Sequence, residues 1–268
     1  MDREPRDRGG GSRREVALLI IGTGHPIRHF DRIDSTNLEA QRLADQGESG
    51  PFWIWADEQT LGRGRLGRSW VSEPGNLYAT FLFAIAEAPQ AASQVSFVAA
   101  LAVHDTVMAL RPGLSPRIKW PNDVLIDGAK FCGVLPEVVG SNPTRIAIGC
   151  GVNVDHAPEG TPYPVTFLGR DLMPEAVLRE LDRNLALRLK EWDEGRGFGL
   201  IRHVWGERAL GLGGAVTATA GTKEVTGTFK GLAPDGALLL EGSDGRVSPI
   251  HAGDVKFAEL EAMRRKSR

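Results

Sequence analysis

Cysteine is scarce in this chain, and so is net charge. Only Cys132 and Cys150 occur among 268 residues. Both lie in apolar, strand-like runs without a C-x-x-C, so no disulfide framework is expected and the thiols read as the reduced ones of a cytoplasmic protein. A zinc site is not expected either: His25 and His29 are four residues apart but flank Pro26, and the other histidines are scattered. The formal net charge is −2, so no global field draws the chain to nucleic acid or to an anionic membrane. No apolar run reads as a membrane span, and residues 1–15, rich in Arg, Asp and Gly, lack the apolar stretch of a secretory signal. They read as a disordered leader. Repeats are absent. What remains is a chain with 41% hydrophobic residues, the composition of a globular protein with room for one large domain and a smaller one.

Positive charge is instead concentrated locally. In Gly62-Arg63-Gly64-Arg65-Leu66-Gly67-Arg68-Ser69-Trp70, three arginines are threaded through three glycines. Glycines let a backbone approach an anion, and guanidinium groups supply permanently charged, fork-shaped donors. The segment also fits G-x-G-x-x-G, but a dinucleotide fold needs a helix opening at the last glycine. Here a Pro74-Gly75 turn and a strand-like run, Leu77 to Phe83, follow instead. Mutual repulsion of the arginines among glycines predicts a loop without local structure until an anion binds.

Around this loop the patterning alternates between strand and helix. Thr36 and Glu39 are spaced as a capping box for a helix running to about Ala44. Phe52 to Ala56 and Leu77 to Ile85 read as strands, and Ser93 to Leu110, apolar nearly all round, as a buried helix. Arg117 to Trp120 alternates as a strand that Pro121 stops, and Asp127-Gly128 reads as a tight hairpin. A further strand, Arg145 to Ile148, runs into Gly149-Cys150-Gly151-Val152-Asn153, and Pro174 to Trp192 has helical spacing. Beyond Trp205, short strands separated by Gly and Pro-Asp-Gly turns suggest a small β-barrel of roughly fifty residues.

Four segments stand out together: Ser35-Thr36-Asn37, Gln59 with the arginine loop, Lys119-Trp120-Pro121-Asn122-Asp123, and Gly149-x-Gly151-x-Asn153. In this order they closely resemble biotin protein ligases, strongly over residues 32–155 and more weakly through the C-terminal segment. The resemblance implies an α/β (α+β) catalytic domain similar to class II aminoacyl-tRNA synthetases, with a mixed, mostly antiparallel sheet, over 16–208. An SH3-like barrel domain follows over 209–268. It implies the two-step reaction of that family: biotin and ATP give biotinyl-5′-AMP and diphosphate, and a lysine of a biotin carboxyl carrier domain then takes the biotin and releases AMP, with Mg2+ accompanying ATP. Lys119 and Arg65 are the implied catalytic residues. Ser35, Thr36, Asn37, Gln59, Gly62, Arg63, Gly64, Arg65, Lys119, Gly133, Gly149 and Gly151 are implied at biotin. Arg63, Arg65, Arg68, Trp70, Lys119, Asn122 and Asn153 are implied at ATP and the adenylate, with Asp123 a candidate metal ligand and an acid expected at Glu137. The expected partner is a carrier domain of a biotin-dependent carboxylase, met by a monomer or homodimer without membrane or specific DNA.

The chemistry asks for such residues on its own terms. A carboxylate must attack the α-phosphate of ATP, an anion meeting a polyanion, so fixed cations are needed where charge builds up. Trp70 offers an aromatic face to a ligand or to a closing loop. Each residue also has a plainer reading: Ser35 and Thr36 as helix caps, Lys119 on a solvated strand face, Asn122 and Asp123 as turn formers, and the glycines as a strand exit. Pro136 departs from the family pattern and predicts an edge or bulge at its position. The roughly thirty residues before the first motif are too few for a helix-turn-helix domain, which predicts a ligase without a repressor function. Two rival readings are a lipoate or octanoate transferase of the same fold and a noncatalytic Arg-Gly-loop module binding nucleic acid.

Overall fold

The computed structural model describes residues 15–21, 24–86, 89–220, 223–251 and 253–266. Of the expected leader, residues 1–14 lie outside these, and Glu15 already opens a strand. The strands are β1 (Glu15–Ile21), β2 (His25–Ile33), β3 (Phe52–Gln59), β4 (Leu77–Ile85), β5 (Pro116–Lys119), β6 (Asp123–Ile126), β7 (Ala129–Ser141) and β8 (Thr144–Val152). They form one sheet in the order β1-β2-β3-β4-β8-β7-β6-β5. Among its pairings only β2 with β3 is parallel. Helix α1 (Thr36–Asp45) supplies that crossover, as a parallel pair requires. The mixed, mostly antiparallel sheet is therefore as expected.

Helix α2 (Val95–Leu110) is buried along most of its length and packs on α3 (Pro174–Trp192). Together with the turn before it, it meets the length and composition of a membrane span, which corrects the expectation that no run does. Most of it is covered by the protein's own sheet and helices, as in a core helix. Val177, Leu178, Leu181 and Leu185 of α3 are buried at helical spacing, and Pro174 takes the first turn. A further helix, α4 (Phe198–Arg208), buries Phe198, Ile201 and Trp205. Gly199 and Gly206 within it mask its pattern in the sequence.

The C-terminal residues form a five-stranded antiparallel sheet, order β12-β11-β10-β9-β13, from β9 (Ala215–Ala220), β10 (Lys223–Leu232), β11 (Leu238–Glu241), β12 (Val247–Ile250) and β13 (Asp254–Phe257). Helix α5 (Ala258–Lys266) closes the described chain. A run of aromatic contacts, Phe97 to Trp205 at 5.6 Å, Trp205 to Phe229 at 6.4 Å and Phe229 to Phe257 at 6.2 Å between centroids, joins α2 and α4 to this sheet. The amide of Leu210 also donates to the carbonyl of Ile118, 2.8 Å away. One apolar core thus runs from the large sheet into the small one.

Two local features set the geometry of the central strands. Asp127 and Gly128, both at positive φ, make the two-residue hairpin between β6 and β7. β6 pairs with β7 only as far as Gly133, so at Pro136 the strand has β8 alone as a neighbour. That is the edge position the proline demanded.

Candidate active site

One pocket collects most of the singled-out residues. Ser35, Thr36 and Asn37 at the start of α1, Gln59 at the end of β3, the arginine loop, and Lys119 to Asp123 line it, with Gly133, Gly149 and Gly151 along β7 and β8. Five cationic side chains, Arg63, Arg65, Arg68, Lys119 and Lys130, face it against one carboxylate, Asp123. In a chain of net charge −2 this is a concentrated anion-binding field. Gly62 and Asn153 stand behind the lining. A Cβ at Gly62 would meet the Trp70 carbonyl at 2.3 Å, so this glycine lets the loop close on itself. Asn153 is buried and donates its amide to the Thr166 carbonyl at 3.0 Å.

The capping box does not form. Ser35 is the N-cap and caps no backbone amide with its side chain, while Glu39 pairs with Arg42. Thr36 is turned inward instead. Its amide and its hydroxyl both donate to Gln59 Oε1, at 2.9 and 3.1 Å, and Gln59 Nε2 donates to Ser72 Oγ at 2.9 Å. The buried Thr80 hydroxyl lies 2.8 Å from Thr36 Oγ1 and 2.6 Å from Asn37 Oδ1, its single hydrogen available to both. A hydroxyl spent on this cluster is not available to the helix end. Asn37 donates to the Leu135 carbonyl at 3.1 Å and to Glu137 Oε2 at 2.7 Å.

The arginine loop has local structure, contrary to the sequence-based expectation. Gly64 donates to the Arg68 carbonyl at 2.7 Å and Trp70 to the Gly62 carbonyl at 2.9 Å, and residues 65–67 make a single tight turn with Leu66 and Gly67 at positive φ. Backbone pairing orders the loop, and two of its arginines have side-chain partners on the neighbouring segments. Arg63 reaches Glu137 at 2.9 Å, and Arg65 donates to Asn122 Oδ1 at 3.2 Å. Asn122 in turn donates to the Val134 carbonyl. Trp70 lies over the sheet: a Cβ on Gly151 would come within 2.6 Å of its indole, and one on Gly133 within 3.1 Å. A Cβ on Gly149 would come within 2.2 Å of Asn37 Oδ1. The room these glycines leave is taken by Trp70 and Asn37.

Several members of the site carried no signal in the sequence. Lys130 pairs with Asp123 at 2.7 Å and sits over the rings of Trp70 and Tyr163, 5.2 and 5.7 Å from their centroids. Tyr163 and Pro164 complete one wall, and Gly253, Val255 and Leu260 reach in from the C-terminal segment. Trp120 of the Lys-Trp-Pro-Asn-Asp motif is buried and donates to the Gly236 carbonyl at 3.2 Å, so it ties the pocket wall to the turn between β10 and β11. The Cys150 thiol in the wall is pushed up to about 12 by burial, and burial also raises the Cys132 thiol well above its ordinary value. Neither is a nucleophile at neutral pH. Among the described residues no three His, Cys, Asp or Glu side chains cluster as for a metal, and Asp123, the one acid on the lining, is engaged by Lys130.

Residues 29–153 match the model of the biotin/lipoate A/B protein ligase family, and residues 211–257 that of the biotin protein ligase C terminal domain. A biotin--[acetyl-CoA-carboxylase] ligase of Paracoccus denitrificans is 42% identical over 238 residues, covering 84% of this chain and 98% of the relative. The bifunctional ligase/repressor BirA of Escherichia coli is 31% identical over 258 residues, 91% of this chain and 78% of that one. Among solved structures, the biotin protein ligase from Aquifex aeolicus in complex with biotin and ATP superposes with a TM-score of 0.74 at 28% identity, covering 87% of this chain and 99% of that chain.

Proposed function

The chain belongs to the biotin protein ligase family, and from that premise we propose that it is an ATP-dependent biotin–protein ligase. It forms biotinyl-5′-AMP from biotin and ATP, then passes biotin to a lysine of a carboxylase carrier domain. The observation that carries this reading is the set of five cations converging on one pocket beside the neutral Thr36, Gln59, Thr80 and Asn37 cluster. Neutral donors and acceptors suit a ureido ring, and fixed cations suit a carboxylate meeting a triphosphate.

In the proposed assignment Ser35, Thr36, Asn37 and Gln59 orient biotin, with Gly133 and Gly151 seating Trp70 and Gly149 seating Asn37 beside it. Lys119 and Arg65 stabilise the charge that builds up as the carboxylate attacks the α-phosphate of MgATP and diphosphate leaves. Arg63 and Arg68 hold the anionic groups, Asn122 steadies Arg65, and Trp70 with Lys130 forms the nucleotide side, with Asn153 behind them supporting that wall through Thr166. The backbone of Gly62 and Gly64 lets the loop fold over the adenylate, a mixed anhydride that water would otherwise hydrolyse. A deprotonated carrier lysine then attacks the anhydride carbonyl, and AMP leaves.

The finer fold reading, a class II aminoacyl-tRNA synthetase-like domain to residue 208 and an SH3-like barrel from 209, is supported by the strand order and by the end of α4 at Arg208. We further propose a cytoplasmic enzyme, monomeric or homodimeric, that needs neither membrane nor specific DNA. Light scattering of the purified protein reads the oligomeric state. Incubation with biotin, MgATP and a carrier domain, followed by intact mass, tests the function: biotin's mass gain on the carrier is expected. Lipoyl or octanoyl transfer in its place would select the rival transferase, and no transfer of any acyl group would reject both.

A further inference from the structure

The two ends of the arginine loop are joined through one line of hydrogen bonds. From the Trp70 carbonyl it runs by the Ser72 hydroxyl, 3.1 Å away, to Gln59 and the Thr36 amide, and it is continuous when the Thr36 hydroxyl donates to Thr80 and the Thr80 hydroxyl donates to Asn37. Asn37 hands it to Glu137, and Glu137 returns it to Arg63 at the other end of the loop. Every link before Glu137 is between neutral groups. Charge enters the line only at Glu137 and its partner Arg63, and Glu137 does not line the pocket. It stands on β7 just past Pro136, where β6 no longer pairs. There its two oxygens accept Arg63 Nη2 at 3.2 and 2.9 Å and one also accepts Asn37 at 2.7 Å.

Stability does not account for this pair. The Arg63 and Glu137 side chains are 41% and 33% exposed, and ion pairs in contact with water contribute little to folding. What the contact does is select one position for a long cation that lines the pocket and bring it into line with the α1 cluster. We propose that Glu137 is a positioning residue of the adenylation site: it fixes the Arg63 guanidinium at the biotin end of the pocket and couples it, through Asn37, to the Thr36 and Gln59 cluster. This rests on the function proposed above.

Glu137→Gln keeps size and an acceptor for Asn37 while removing the charge that holds Arg63. In biotin-dependent pyrophosphate exchange it is expected to raise KM for biotin about tenfold, with kcat within about twofold and an unchanged thermal midpoint. In an Arg63→Ala background the same change is expected to move KM by less than about twofold, because the group it acts through is gone. A purely structural role would raise KM equally in both backgrounds, and that result, or a normal KM in the single variant, overturns the proposal. Should Glu137→Gln not fold, Arg63→Lys tests the contact from the other side: a raised KM for biotin supports it and a normal one overturns it. Wild-type protein lacking biotin-dependent exchange would reject the ligase reading itself, so the two failures are distinct.

Discussion

At the scale of single residues, Lys119 and Gly149 test different parts of the site. Lys119 lies on the half-buried face of β5 between the buried Ile118 and Trp120. Its removal therefore costs little packing and falls on transition-state charge. Lys119→Ala is expected to lower biotin-dependent pyrophosphate exchange at least about a hundredfold with an unchanged thermal midpoint. Retention of wild-type exchange would deny it the catalytic role. Gly149 is a packing constraint: a methyl group there would stand 2.2 Å from Asn37 Oδ1, closer than any real contact, so Asn37 must leave its bonds to Thr80 and Glu137. Gly149→Ala is expected to raise KM for biotin by about tenfold or more while secondary structure, read by circular dichroism, is kept. A normal KM would place biotin's recognition elsewhere.

At the scale of elements, some spans were legible to the residue and others were hidden. β4 at Leu77–Ile85 and α3 at Pro174–Trp192 were readable because unbroken apolar runs or helical spacing end at strong punctuation. α4 was not, because its two glycines break the pattern and only three of its residues are buried. The motifs gave the arginine loop, the start of α1 and the glycine-rich end of β8. Lys130, Thr80, Tyr163 and Val255 were not visible, because nothing local distinguishes a residue that meets the site only through a hairpin, a neighbouring strand or the second sheet. The loop itself was misread as structureless: charge repulsion was weighed without the backbone pairs that Gly62, Gly64 and Trp70 make. Those pairs leave Arg65 reaching out to Asn122 at 3.2 Å. Arg65→Gly is expected to let the adenylate escape, so that lysines of a bystander protein become biotinylated while adenylation partly survives. Mass spectrometry of a carrier mixed with serum albumin reads this, and selectivity equal to wild type would remove Arg65 from the retaining role.

At the scale of the whole molecule, the position of β5, and with it Lys119, depends on how three helices are tied together. Asp105 of α2 accepts Arg188 of α3 at 2.7 and 2.8 Å and Arg208 at the end of α4. The next residues, Ala209 and Leu210, pair with Ile118 of β5 before the chain enters the second sheet. Burial pushes the Asp105 carboxyl up, but its bonds to His104 and Arg188 and the charges of Arg208 and Arg188 outweigh that and hold it below its ordinary value of 3.8. A carboxyl depressed in the folded state contributes stability that is present above the unfolded value and lost as pH falls through the folded one. The contribution is therefore full at pH 5 and above and fades below about pH 4. Asp105→Asn is expected to cost about 2 kcal/mol near neutral pH, less than for a fully buried pair because solvent reaches part of the side chain. The gap between variant and wild type should narrow as the pH is taken below 4, a window set by the 3.8 of the unfolded carboxyl. Urea unfolding at pH 7, 5 and 3.5 measures it, and a gap that stays constant across the three would mean that Asp105 acts by shape and not by charge.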